Sequence, residues 1–187
     1  MARIAAPGYG SYTPHAVTPA AADAPPRQHP LHVVNAAFLL ACVSMYFGTG
    51  WSLVLFSFPI SPQLTPANYY LQFVPQVEAA TRFFTYMTGA MLASAAVMIW
   101  AEWRTGYRWI PIVVLLAVGA ATLLTTTLIF PLNREMSAGI ATQARLGVVL
   151  DRWMLLNRIR VGIWTVQWLV AMSYFVLKAV RAPRSTA

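Results

Sequence analysis

Charge is what this sequence has least of. Only 10% of the 187 residues are Asp, Glu, Lys or Arg, while 58% are hydrophobic; soluble domains carry about 25% charged residues. Too few polar side chains exist to coat a water-soluble globule, so lipid must cover much of the surface. Acid is scarcer than base, and the net charge is +8. The basic residues are dispersed or flank apolar runs, with no basic stripe interleaved with aromatics, which excludes nucleic acid as the partner. Lysine is almost missing: Lys178 stands alone among the 13 basic residues. Together with abundant alanine, this points to a GC-rich bacterial genome and a bacterial inner (cytoplasmic) membrane.

Metal-ligand side chains are equally sparse. Cys42 is the single cysteine, so an intrachain disulfide is excluded and its expected role is that of a small buried hydrophobe. His15, His29 and His32 all precede the first apolar run. No pair of His, Cys or carboxylate residues falls at metal-site spacing within the spans, so no haem, metal or other cofactor is expected. There is no glycine-rich phosphate loop and no G-x-S-x-G elbow.

What is present is apolar length. Four runs, at about 33–58, 77–100, 109–130 and 148–180, each suffice to cross a ~30 Å hydrocarbon core at ~1.5 Å per residue. The expected fold is an all-α membrane protein, a four-transmembrane-helix bundle over residues 33–181. Residues 1–32 form a Pro/Ala-rich tail expected to be disordered or extended. They hold no apolar signal region, so the first span is expected to serve as its own insertion signal. Ala37, Ala41, Ser44 and Gly48 suggest one close-packing face on the first helix. Pro59 to Pro75 reads as a connection whose Tyr69 and Tyr70 suit the membrane interface, and Pro131 as the stop of the third helix. Arg3, Arg27, Arg104, Arg108, Lys178, Arg181 and Arg184 all flank one side, which favours both termini inside. Arg134 and Arg145 oppose that rule.

Candidate chemistry gathers near the outer ends of the spans. Trp153, Asn157, Arg160 and Trp164 are spaced four, three and four on one helical face, and Gln167 extends the stripe. Two aromatic planes bracketing an amide and a guanidinium suit a flat, oxygen-bearing ligand, with Arg160 binding developing negative charge. The plainer alternative is a helix interface in which Arg160 pairs with Glu78 and the tryptophans anchor at the headgroups. Glu78 and Arg82, one turn apart, form either an ion pair or a candidate base with a substrate-binding neighbour. Thr122, Thr125 and Thr126 are expected to bond back to their own helix.

The Thr-Leu-Ile-Phe-Pro-Leu-Asn run from Thr127 to Asn133 and the Asp-Arg-Trp-Met-Leu-Leu-Asn-Arg-Ile-Arg run from Asp151 to Arg160 resemble the anthrone oxygenase-like membrane family, long catalogued as a domain of unknown function. The resemblance covers roughly residues 35–178, and the matching positions are Pro131, Asn133, Trp153, Asn157 and Arg160. It implies oxidation of a phenolic or quinone-like molecule by molecular oxygen without metal or flavin. The implied roles are Glu78, Asn157 and Arg160 in catalysis, and Arg82, Asn133, Trp153 and Trp164 in holding an aromatic substrate. Glu78 would take an acidic C–H proton while Arg160, Asn157 and Asn133 hold the enolate oxygen. The competing expectation is a non-catalytic accessory subunit of a respiratory or photosynthetic assembly, contacting partner membrane subunits through residues 1–32. A transporter has less behind it, because four spans show no inverted repeat.

Overall fold

In hydrocarbon every backbone N–H and C=O must find a partner within the chain, which leaves a lipid-facing apolar run little choice but the helix. The computed structural model describes residues 29–181, and among them every regular element is helical. Helix α1 (Pro30–Ser52) runs on through a π turn (Leu53–Ser57) and a 3-10 turn (Phe58–Gln63). Helix α2 is Tyr69–Glu102 and α3 is Trp109–Leu124. A second π turn (Thr125–Ile129) leads α3 into α4 (Phe130–Ala138), and α5 is Gln143–Arg181. The four continuous rods Pro30–Gln63, Tyr69–Glu102, Trp109–Ala138 and Gln143–Arg181 are long and apolar enough to cross a membrane. The protein is an integral membrane protein.

Helices α1 and α3 each pack against both α2 and α5, which places α2 and α5 on a diagonal. His32 lies beside Trp100 and Lys178 bonds Glu102, so Pro30, the α2–α3 turn and Arg181 share one end, called proximal below. The distal end holds α4 and both π turns. The partner contact expected of residues 1–32 lies almost wholly outside the described residues; Pro30, Leu31 and His32 belong to the first turn of α1.

Several boundaries differ from the sequence expectation. Helix α2 starts at Tyr69, eight residues early, and absorbs Pro75. Pro131 does not stop the third helix; it occupies the first turn of α4, and Gly139, at φ 95°, ends the helix instead. A proline ring collides with the carbonyl four residues back. Both π turns sit immediately before a Phe-Pro pair, Phe58-Pro59 and Phe130-Pro131, where a widened turn relieves that collision. Thr125, Thr126 and Thr127 donate to carbonyls of the preceding turn at 2.6–3.0 Å, as expected for the first two.

The close-packing face of α1 is also different. Ala37, Ala41 and Gly48 are exposed, and only Ser44 meets α5, accepting from Trp168 Nε1 at 3.1 Å. The buried face is Ala36, Leu39, Val43, Tyr46 and Gly50. A methyl group added at Gly50 would stand 2.8 Å from the Trp164 ring and 2.9 Å from Val161, so glycine is what lets α1 approach α5 there. Tyr69 is buried rather than interfacial: its hydroxyl donates to the Met136 carbonyl and accepts from Ile140 N–H, sealing the α4–α5 turn. Tyr70 keeps the exposed position expected of both.

Polar contacts hold the proximal half. Ser94 Oγ donates to Asn35 Oδ1 at 2.9 Å, and Asn35 Nδ2 donates to the Ser94 carbonyl at 3.0 Å. Glu102 is only 2% exposed and accepts from Tyr174 at 2.6 Å, Lys178 at 2.5 Å and Thr105 at 2.5 Å. Lys178, read from the sequence as a topology signal, is therefore also a buried carboxylate's partner.

Candidate functional site

The distal half holds a partly open cavity of about 760 Å³ between the four rods. Its α5 wall is the predicted stripe. Trp153, Arg160, Trp164 and Gln167 all line it, as does Asn133 from α4. A 3.6-residue repeat places these side chains in a column, and a pocket of this size accepts a drug-sized ligand.

One hydrogen-bonded relay joins the stripe. Trp153 Nε1 donates to Asn133 Oδ1 at 2.8 Å. Asn157 Nδ2 donates to the Trp153 carbonyl at 2.8 Å, and Asn157 Oδ1 accepts from Arg160 Nη2. Arg160 Nη1 donates to Thr125 Oγ1 at 3.3 Å, and the guanidinium lies 4.6 Å from the centre of the Trp164 ring. Asn157 is fully buried behind the wall, so it positions Arg160 rather than facing the cavity. Both tryptophans are buried, at 3% and 6% exposure, and do not anchor at headgroups. Trp153 packs edge-on to Phe73, and Trp164 to Tyr46.

Arg160 has no carboxylate partner. Among the described residues the ion pairs are Lys178–Glu102 and Arg145–Glu135, the latter exposed and explaining one of the two distal arginines. The expected Arg160–Glu78 and Glu78–Arg82 pairs do not form. Glu78 and Arg82 are exposed and do not line the cavity, and Glu78 accepts a long 3.4 Å bond from Ser137. The wall of α2 is built by Phe73, Val77, Thr81, Phe84 and Thr88. Glu78 follows Val77 by one residue, and one residue turns a helix by about 100°. Adjacent position therefore means a different face.

Two members of the site escape the sequence reading. Tyr46 lines the cavity, with its hydroxyl donating to the Phe84 carbonyl at 2.8 Å and 2.6 Å from Thr88 Oγ1. Gly50 lies one turn on, under Trp164. Their four-residue spacing from Cys42 was the available signal. Gln167, noted only as an extension of the stripe, is 1% exposed, and neither of its amide atoms has a partner. Among the described residues no group of His, Cys, Asp and Glu could hold a metal.

No protein-family model matches the chain, and no curated protein or solved structure matches it either.

Proposed function

We propose that the protein binds a flat, phenolic or quinone-like small molecule in the distal cavity and oxidises it with molecular oxygen. The observation that carries this reading is Arg160: a guanidinium on an apolar cavity wall, held by Asn157 and Thr125, with no carboxylate near it. A charge at membrane depth costs several kcal/mol unless paired or hydrated. An anionic oxygen on a ligand is the partner that the site lacks.

The aromatic walls supply the rest. Trp153, Trp164, Phe73 and Phe84 offer planar surfaces to a fused-ring system, Phe73 at 75° to Trp153 and Phe84 tilted 31° from Trp164. Arg160 stabilises the phenolate or enolate, raising electron density on the ring carbon that meets oxygen. In the net step a ring CH₂ and O₂ give a ring C=O and water; the carbon is oxidised, and oxygen takes up the electrons and both protons. Glu78 is withdrawn as the base because it stands outside the cavity. No carboxylate or histidine lines the wall, so the first proton passes to water, and the Arg160 charge eases its loss by stabilising the enolate left behind. The resemblance of the Thr127–Asn133 and Asp151–Arg160 runs favours the same reaction class.

The test is oxygen uptake by the purified full chain in mild detergent, with anthrone as substrate and quinone absorbance as the second readout. Arg160→Ala should abolish turnover while the elution profile stays unchanged. Turnover that survives Arg160→Ala, or its absence in the parent protein, overturns the oxidation. A stoichiometric larger complex on extraction from native membranes, with no turnover, would favour the accessory subunit instead.

A further inference from the structure

Four polar or charged residues are buried in the described bundle: Ser94, Glu102, Asn157 and Gln167. Ser94 is satisfied by Asn35, Glu102 by Tyr174, Lys178 and Thr105, and Asn157 by Trp153 and Arg160. Gln167 is the exception. Its Nε2 and Oε1 are both buried and unbonded, and the residue lines the cavity. A buried amide without a partner is expensive. Neither amide atom has accessible surface as it stands, so a rotation of the side chain brings them to the cavity, where a ligand oxygen gives the amide the bonds it lacks.

Its position defines what that is. Gln167 follows Arg160 by seven residues, two turns of α5, so the two side chains share a face about 10 Å apart along the axis. Trp164 stands between them. Across the cavity Met91, as far back from Glu102 as Gln167 is from Lys178, and Val118 are apolar, while the Tyr46 hydroxyl near this level is already bonded to Phe84 and Thr88. The site thus has a cationic station at Arg160, an aromatic middle, and an amide station deeper in the bundle. Arg160 Nε, also buried and unbonded, faces the same demand.

We propose that Gln167 is a second polar anchor of the cavity. It selects flat ligands carrying a hydroxyl or carbonyl oxygen at the end remote from the group held by Arg160. An amide both donates and accepts, so either oxygen type is matched, and a hydroxyl satisfies both atoms at once. This inference rests on the reading of the cavity as a ligand site, but not on the oxidation.

Two probes separate the questions: biphenyl carboxylate, and hydroxybiphenyl carboxylate with its hydroxyl on the far ring. Each is titrated into the full chain in detergent, followed by tryptophan fluorescence. The carboxylate addresses Arg160 and the hydroxyl addresses Gln167. The parent protein should prefer the hydroxylated probe about tenfold or more. Gln167→Met, similar in volume, should erase that preference while keeping the affinity for biphenyl carboxylate. Gln167→Leu serves as an independent second variant, and each should raise the melting temperature of the unliganded protein by removing an unsatisfied amide. Equal binding of both probes by the parent, or a preference that survives Gln167→Met, overturns the role of Gln167 alone. If neither probe binds, or neither loses affinity on Arg160→Met, the ligand-site reading falls and this inference with it.

Discussion

The two halves of the bundle solve the same packing problem in opposite ways. Proximally, a gap among the four helices measures only about 10 Å³, and the polar groups named there are bonded to neighbours. Distally, the same helices part around about 760 Å³ and leave three polar atoms without partners. The helices are continuous through both halves, so composition alone does not make the difference. Irregular turns do: both π turns and both Phe-Pro pairs lie in the distal half. Close packing stabilises membrane helices, so the proximal half carries the stability and the distal half spends some of it on space.

Substitutions can break that division. The largest stability loss should follow Glu102→Leu, which strands Lys178 beside two tyrosine rings. Breaking a buried pair costs about 3–5 kcal/mol; melting in detergent should show a loss near the lower figure, largely recovered by adding Lys178→Met. Probe affinity at low temperature should not change. Gly50→Ala is next, because its methyl would push on Trp164 and Val161. Overpacking costs about 1–3 kcal/mol, and here the displaced ring supports Arg160, so stability and probe affinity should fall together. Pro131→Ala should sharpen the comparison: stability rises by about 1 kcal/mol as the π turn tightens, less than the roughly 3 kcal/mol of an unrelieved proline, while affinity drops. Melting and titration on one sample separate these opposed signs. Glu78→Gln and Arg82→Gln should stay within about 0.5 kcal/mol and leave turnover intact. Loss of turnover on Glu78→Gln would restore it as the base.

Much of the architecture was legible because apolar length and helical spacing are local properties. The four spans and the Trp153–Arg160–Trp164 column follow directly from them. The buried face of α1 was not legible, since lipid and protein interior are equally apolar and Ala37 or Ala36 suits either. Tyr69 and Gln143 were missed as helix starts because polar and proline-containing turns above the hydrocarbon carry no hydropathy signal. The exclusion of Glu78 depends on one residue of helical phase, finer than any span boundary read from sequence. Gln167 stood on the right face, yet only the fold reveals that nothing answers its amide.

The π turn at Thr125–Ile129 has an evolutionary reading. Such a turn holds one residue more than the α-helix it interrupts, so it behaves as a single-residue insertion that the helix accommodated without breaking. Everything beyond it is rotated by about 100° relative to an uninterrupted rod. Asn133, which accepts from Trp153, lies beyond it. Excise one residue from that turn and Asn133 swings off the cavity wall while the hydropathy profile of the span barely changes. Whether such a chain keeps the site is then settled by a phase shift that no count of apolar residues registers.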